Sequence, residues 1–98
     1  MAESIYKFFM GRMLEPWYQL SKEEQTSLIA KVDEALENVG AKRSILCNLR
    51  WSSEQWSWAG VEEFPNIEAV QKHSAALMEL NWLRYCESTS VLGTKWKP

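Results

Sequence analysis

The chain has 98 residues, of which 46% are hydrophobic and 24% charged, and its formal net charge is −2 at pH 7. These values indicate one globular domain over residues 1–98, small enough that an oligomer is favoured. The 11 lysines and arginines are spread along the chain and balanced by 13 acids. The basic stripe of a nucleic-acid-binding protein is therefore missing, and we predict no nucleic-acid partner.

The segment that opens the chain is acidic and short, and Lys7 and Arg12 interrupt the apolar run that follows it. This pattern is typical neither of a signal peptide nor of a membrane span. We therefore expect a cytoplasmic protein without a membrane partner, in which Cys47 and Cys86 are free thiols. These cysteines lack the spacing of metal ligands and have one histidine to join them, so no metal site is predicted.

The first half of the chain predicts a strand followed by a helix. Large apolar side chains occupy both faces of a strand over residues 5–13, as in a central strand covered on both sides. Ser21 and Glu24 form the capping box of a helix. Its apolar stripe recurs with a helical period over residues 28–39, and Gly40 stands where a left-handed residue ends such a helix.

The second half predicts a hairpin, a helix and a closing strand. Residues 44–51 and 56–64 alternate between two faces and are separated by a four-residue loop, which indicates a β-hairpin. Asn66 is the expected N-cap of a helix over residues 67–80. The last strand is predicted over residues 83–94.

The order of these elements, strand, helix, strand, strand, helix, strand, predicts two right-handed split βαβ units. This is an α+β, ferredoxin-like fold, with a four-stranded antiparallel sheet in the order 4-1-3-2 and both helices on one face. The other face would carry bulky apolar side chains, a patch too large for a monomer to expose. We therefore predict a homodimer in which two sheets pack face to face.

Two joints between elements resemble those of the dimeric α+β barrel superfamily, which includes small antibiotic-biosynthesis monooxygenases. They resemble darcynin-like and related bacterial families in the stretches Pro16-Trp17-Tyr18-Gln19-Leu20-Ser21-Lys22-Glu23-Glu24 and Val61-Glu62-Glu63-Phe64-Pro65-Asn66-Ile67-Glu68-Ala69. The resemblance implies a dimeric α+β barrel with a pocket between the sheet and the helices of each protomer. It implies no particular substrate.

Two titratable residues are candidates for catalysis in such a pocket. His73, the one histidine, lies on the second helix, and its ordinary pKa near neutrality suits a general base. The alternative for His73 is a boundary residue with a satisfied hydrogen bond. Glu62 shares a strand face with Trp58 and Phe64, so that burial would raise its pKa and suit proton transfer. On a half-covered face, Glu62 would instead be a salt-bridged acid.

Five residues are candidates for substrate binding. Asn48 and Arg50 share a strand face and can orient a carbonyl or carboxylate, or else they are the polar side of an edge strand. Tyr6 and Tyr85 can supply hydroxyl groups, or they pack in the core or an interface. Trp58 can form the wall of a pocket for a planar ligand, although six tryptophans would equally suit a dimer interface.

These observations lead to two functional hypotheses. The first is a small-molecule-binding dimer, a cofactor-independent enzyme of the monooxygenase or the isomerase/cyclase type. It would act on a planar aromatic or polyketide-like compound, with His73 as the general base. The second is a non-catalytic ligand sensor, carrier or protein-interaction scaffold, which would have a filled pocket or one without converging polar groups.

The resemblance also bears on cofactors, and none is predicted. The monooxygenases of the superfamily use asparagine and tryptophan without metal or flavin, and this chain has Asn48 and Trp58. Haem-degrading relatives use a histidine ligand, for which His73 is available. Those relatives carry an asparagine on the first strand, where this chain has Tyr6, Lys7 and Phe8, which disfavours haem.

Overall fold

The computed structural model describes residues 3–97. In chain order its elements are β1 (Ile5–Met13), α1 (Glu15–Tyr18), α2 (Lys22–Asn38), β2 (Lys42–Asn48), β3 (Trp58–Phe64), α3 (Ile67–Glu79), α4 (Trp82–Tyr85) and β4 (Cys86–Gly93). The strands form one antiparallel sheet in the order β2-β3-β1-β4, with the long helices on one face. The predicted ferredoxin-like α+β fold and its sheet order are confirmed.

The two long helices begin and end at side chains suited to those positions. The Ser21 hydroxyl accepts a hydrogen bond from the Glu24 amide at 3.1 Å, and the Glu24 carboxylate accepts one from the Ser21 amide at 2.9 Å. At the start of α3, Asn66 Oδ1 accepts the Ala69 amide at 2.9 Å. Gly40, with a φ of 74°, follows α2. These caps satisfy backbone groups that a helix leaves free and so fix where each helix starts.

The connection between β2 and β3 is longer than the predicted four-residue loop. β2 spans Lys42–Asn48 and β3 begins at Trp58. Asn48 Oδ1 accepts the amide of Arg50 at 3.0 Å, and the Ser53 hydroxyl accepts two backbone amides further along the chain. Such side-chain bonds to the local backbone compete with the hydrogen bonds of a sheet. The strands therefore end earlier than their alternating sequence predicts.

The last strand also starts later than predicted, because a one-turn helix occupies its expected beginning. Asn81 adopts a left-handed φ of 55°, α4 follows it, and β4 begins at Cys86. Trp17 of α1 packs against Trp82 of α4 in an edge-to-face pair, with 6.2 Å between ring centroids. This geometry is favourable for aromatic rings. The pair joins the two short helices that flank the sheet.

The core lies between the two long helices and the sheet. Its buried apolar side chains are contributed by α2, β3 and α3 and by the turn after α2, and they are Leu36, Ala41, Phe64, Ala69 and Val70. No helix within residues 3–97 is long and apolar enough to cross a bilayer.

The sheet face without helices carries an apolar row across all four strands. The strand register places Ile45, Val61, Phe8 and Val91 side by side, one from each strand. Phe8, Ile45 and Val91 are about half exposed or more. This row is the bare apolar face that the fold led us to expect, and we call it the open-face row.

Candidate functional site

A cavity of about 610 Å³ lies between the sheet and the helices. Side chains from all four strands, from both long helices and from α4 line it. This volume is within the usual range for small-molecule sites. Most of the wall is apolar, but it also includes four acidic or basic side chains and the imidazole, which are Lys7, Asp33, Arg43, Glu62 and His73.

Two aromatic rings cover the floor of the cavity by lying over glycines on neighbouring strands. Phe9 of β1 pairs with Gly60 of β3, and Gly11 of β1 pairs with Trp58 of β3. A Cβ built on Gly11 would lie 2.5 Å from the Trp58 indole, and one on Gly60 would lie 2.6 Å from the Phe9 ring. The two glycines therefore leave the room that the rings occupy. The result is an aromatic floor suited to a planar ligand.

The charged cluster is organised around Arg43. Its Nη1 lies 3.1 Å from Oδ1 of Asp33 on α2, and its Nη2 lies 3.4 Å from Oε2 of Glu62 on β3. The register of β2 against β3 shifts between Arg43 and Ile45, which indicates a β-bulge. In a regular strand, residues three positions apart point to opposite faces of the sheet. Because of this shift, Arg43 and Leu46 both face the cavity.

Glu62 is the acid that the fold encloses. It is 5% exposed and directly opposite Lys7 in the β1–β3 register. Burial raises the pKa of the Glu62 carboxyl, while the positive charges of Lys7 and Arg43 oppose that rise. A carboxyl with a raised pKa is a stronger base when ionised and is more readily protonated near neutral pH.

His73 is buried in α3 at 3% exposure and lines the same cavity as Glu62. Its ring packs on Phe64, with 5.3 Å between centroids. Burial, together with the nearby charges of Lys7 and Arg43, lowers the pKa of His73 to about 4. The imidazole is therefore neutral at pH 7, and within residues 3–97 its buried Nδ1 has no hydrogen-bond partner.

The structure brings His73, Glu62 and Trp58 together in the large cavity and places the other predicted site residues elsewhere. Asn48 and Arg50 line a separate, more open pocket of about 300 Å³, which shares Leu46 and Trp58 with the large cavity. Tyr6 lies on the opposite face of the sheet, in register with Glu63 and Gly93. Tyr85 ends α4 and does not line the large cavity.

Three charged cavity residues, Lys7, Asp33 and Arg43, are not among the site residues that the sequence predicts. Lys7 lies between apolar residues on one face of β1, and Asp33 interrupts the apolar stripe of α2 beside Val32. Both interruptions are visible in the sequence, so Lys7 and Asp33 could have been recognised as cavity residues. Arg43 could not have been recognised from the sequence, because only the bulge directs it towards the cavity. Within residues 3–97, no group of three or more histidine, cysteine or acidic side chains is arranged to hold a metal ion.

Neither a family model nor a curated protein matches this sequence. Solved structures match the fold. A single-residue mutant of chlorite dismutase from Candidatus Nitrospira defluvii superposes with a TM-score of 0.77 at 19% identity, covering 99% of this chain and 42% of that one. The same enzyme in complex with imidazole gives a TM-score of 0.76 at 19% identity, covering 97% and 41%.

The chlorite dismutase-like protein TA0507 matches with a TM-score of 0.71 at 14% identity, covering 96% of this chain and 46% of that one. This chain thus spans less than half the length of the solved structures it matches. At such identities the likeness shows a shared ferredoxin-like α+β fold. The resemblance to the dimeric α+β barrel superfamily and the narrower one to darcynin-like families stay predictions.

Proposed function

We propose that this protein binds a small planar, largely apolar molecule in the 610 Å³ cavity and catalyses a proton transfer on it. The chemistry would be of the isomerase or cyclase type and would need no cofactor. One observation carries the proposal: the Glu62 carboxyl is 5% exposed, lines a largely apolar cavity and is held by Arg43. Buried acids with perturbed pKa values in clefts are typical of proton-transfer sites.

Within this proposal we assign the general base to Glu62 and a supporting role to His73. A base is most effective when its pKa lies near the working pH. Burial moves the pKa of Glu62 upwards, towards that optimum, and moves the pKa of His73 down to about 4, away from it. A neutral imidazole still offers one hydrogen-bond donor and one acceptor to a ligand. The assignment reverses the order of importance that the sequence suggests.

The non-catalytic alternative, a sensor, carrier or scaffold, is less well supported by this cavity. That alternative expects a pocket filled by the protein's own tryptophans or one without converging polar groups. Trp58 and Trp82 line the cavity and leave about 610 Å³ free, and four acidic or basic side chains and one imidazole converge on it. A carrier would bind the same ligand without turnover, so the two functions differ in whether the ligand exchanges a proton.

A haem fits these residues poorly. His73 lines the cavity and has a ring nitrogen without a partner among the described residues, but the nearby positive charges of Lys7 and Arg43 disfavour a cationic iron beside it. Arg43, Asp33 and Glu62 also line the cavity as an ion-paired cluster, and a large apolar ring system would cover these charges without pairing them. The proposal therefore contains no step through a haem.

The proposal includes a homodimer formed through the open-face row. Ile45, Phe8 and Val91 of this row are exposed, and burying them against the same row of a second copy removes an apolar patch from water. Such a contact has two-fold symmetry, so each row covers the other. A cytoplasmic location is part of the proposal, because a reducing compartment keeps Cys47 and Cys86 as the free thiols seen here.

Native mass spectrometry of the gently purified protein, followed by hydrogen exchange, tests this function. We expect a dimer that carries a small molecule, and we expect that molecule to gain deuterium when it is incubated with the protein in heavy water. Glu62→Gln should slow the exchange by about 10²- to 10⁴-fold, the usual contribution of a general base. Glu63→Gln is the matched control, because its side chain faces away from the cavity and pairs with Lys42.

The other outcomes separate the alternatives. A bound molecule that gains no deuterium overturns the enzymatic proposal and establishes a sensor or carrier. A bound porphyrin contradicts the cofactor-free mechanism. Equal exchange in the wild type and in Glu62→Gln removes Glu62 from the role of base.

A further inference from the structure

Lys7 occupies a distinctive position in the cavity floor. It lies on β1, half-buried, on the strand face that carries Phe9, and it lines the cavity. In the strand register it stands opposite Glu62 of β3 on one side and opposite Leu92 of β4 on the other. Its side chain therefore lines the ligand site from a central strand of the sheet.

Arg43, the other cation of the cavity, forms ion pairs, whereas Lys7 forms none with the residues that the structure describes. Arg43 is shared between the carboxylates of Asp33 and Glu62. Among residues 3–97, Lys7 has no carboxylate within 4.0 Å and donates no side-chain hydrogen bond to the protein. A half-buried ammonium without a partner has lost part of its hydration without gaining an ion pair, so an anionic ligand would be favoured beside it.

The charge of the cavity also admits an anion. Arg43 with Asp33 and Glu62 carries one positive and two negative charges, and Lys7 brings the sum to zero. When Glu62 is protonated, the sum becomes +1. Glu62 reaches this state when it accepts a proton as the base, and burial stabilises the protonated carboxyl. An incoming carboxylate therefore meets either a neutral or a positive cavity.

The mouth of the cavity is apolar. Ile29 of α2, Met78 of α3 and Leu83 of α4 line the cavity and are also exposed to solvent. These side chains belong to the helices, whereas Lys7 belongs to the sheet. The helices thus give the cavity an exposed apolar rim, while Lys7 lies on its sheet floor, which suits an amphipathic ligand whose charged group points towards the sheet.

We infer that Lys7 is the anion-binding residue of this cavity and that the ligand is an apolar planar carboxylic acid, with its carboxylate on the Lys7 ammonium and its apolar body under the helices. This inference rests on the proposed function, because it names the substrate class of the same cavity. The ligand carboxylate accepts charge-assisted hydrogen bonds from Nζ of Lys7. Phe9 and Trp58 beneath it provide the flat surface for its ring.

Calorimetric titration with 2-naphthoate and with its neutral isostere 2-naphthamide tests the inference. The wild type should bind the acid at least about tenfold more tightly than the amide, as expected for a hydrogen bond to a charged group. Lys7→Met should weaken binding of the acid by roughly ten- to hundredfold and leave binding of the amide unchanged. Lys7→Arg should restore most of the affinity for the acid, because it restores the charge.

Lys42→Met is the matched control. Lys42 is also opposite a glutamate in a strand register, but it is exposed and lies outside the cavity. This variant should bind both compounds as the wild type does. Thermal unfolding of each variant shows whether it is folded, and Lys7→Gln replaces Lys7→Met if the latter is not.

The possible failures are distinguishable. If the acid and the amide bind the wild type equally and Lys7→Met changes neither, the inference about Lys7 is overturned and the proposed ligand site stands. If neither compound binds the wild type, the ligand site itself fails for planar aromatic compounds, and the inference fails with it.

Discussion

Arg43 and Glu62 lie side by side on neighbouring strands, with Nη2 and Nε of the arginine each 3.4 Å from Oε2 of the glutamate. Their Cα atoms are direct partners in the register of β2 against β3. A carboxylate that is 5% exposed is costly to ionise unless a cation is beside it. This pair therefore joins the edge strand to the sheet and also influences the charge of the proposed base.

Removing the cation should destabilise the protein in a pH-dependent way. In Arg43→Met we expect the pKa of Glu62 to rise further and the free energy of unfolding at pH 7 to fall by about 1–3 kcal/mol. This is less than for a fully buried pair, because the Arg43 side chain is 28% exposed. Urea denaturation should show that Arg43→Met loses less unfolding free energy at about pH 4 than at pH 7, because Glu62 is mostly protonated at pH 4 in both the folded and the unfolded state.

Arg12→Met is the control for this measurement. Arg12 forms an ion pair with Glu87 in which both side chains are nearly half exposed. Such pairs contribute about 1 kcal/mol or less, so we expect Arg12→Met to lose little unfolding free energy at either pH 7 or pH 4. Losses of equal size in the two arginine variants would contradict the role assigned to Arg43.

The titration of His73 gives a second prediction. Because His73 is the one histidine of the chain, its NMR titration can be assigned without ambiguity, and we expect a pKa of about 4 in the folded protein. The unfolded chain, with a pKa near 6.5, binds the proton first as the pH falls. The contribution of His73 therefore leaves the free energy of unfolding unchanged above about pH 6.5 and lowers it by up to about 3 kcal/mol towards pH 4. A folded-state pKa near 6.5 would contradict the burial of His73.

Glu62 should affect stability with the opposite sign. Its pKa is raised above the ordinary value of 4.5, so its contribution is full below about pH 4.5 and is lost as the pH rises through the folded-state pKa. Between pH 4.5 and 6.5 the effects of Glu62 and His73 partly cancel in the wild type. We expect His73→Leu to flatten the loss of stability in acid and Glu62→Gln to steepen it. Urea denaturation over a pH series measures how the free energy of unfolding of each variant changes with pH. Parallel curves for the two variants would contradict the opposite signs assigned to Glu62 and His73.

The aromatic floor gives a third prediction, which concerns its two glycines. In Gly11→Ala the new methyl group would lie 2.5 Å from the Trp58 indole. The ring must then move into the cavity, and we expect weaker ligand binding together with a loss of about 1–3 kcal/mol in the free energy of unfolding. In Gly60→Ala the methyl group would also lie 2.6 Å from the carbonyl oxygen of Ile45. We expect a comparable or larger loss in the free energy of unfolding, because a backbone carbonyl cannot rotate away as a side chain can.

Gly93→Ala is the control for both variants. Its Cβ would meet Phe8 at 3.8 Å, an ordinary contact, so we expect the free energy of unfolding to change by less than about 1 kcal/mol. Thermal unfolding and the 2-naphthoate titration measure all three variants. Unchanged ligand binding in a folded Gly11→Ala would show that the Trp58 ring does not border the site.

The strands and long helices could be predicted because their signals are local. The capping box of Ser21 and Glu24, the N-cap Asn66 and the left-handed Gly40 each act within a few residues, and the structure confirms them. The order of the elements then restricts the sheet to few topologies. Glu62 and His73 could be predicted as cavity residues for the same reason, because strand alternation and helix periodicity place them on the faces between the sheet and the helices.

The remainder of the site depends on contacts between distant segments. The bulge that directs Arg43 inward is a property of how β2 pairs with β3, and alternation alone places the residues of β2 incorrectly around it. Asn48 and Arg50 were expected beside the pocket, but a local turn holds them in a separate one. The helix α4 is packed through Trp17, which is more than sixty positions away. No local pattern contains this information.

The open-face row gives the fourth prediction, which concerns the homodimer. Phe8→Glu places a charge in the centre of the row, where burial against a second copy would leave it unpaired. We expect this variant to be monomeric in light scattering coupled to size-exclusion chromatography, and the wild type to be dimeric. Ile67→Glu is the matched control, because Ile67 is similarly exposed (43% against 49% for Phe8) but lies on α3.

The cavity lies on the opposite face of the sheet from this row, so the two properties can be separated. A monomeric Phe8→Glu variant that still binds 2-naphthoate would show that each protomer contains a complete ligand site. Loss of binding together with loss of the dimer would show that a second copy supports the cavity walls. A dimeric Phe8→Glu variant would mean that the protomers meet through another surface, and the apolar row would then need a different partner to cover it.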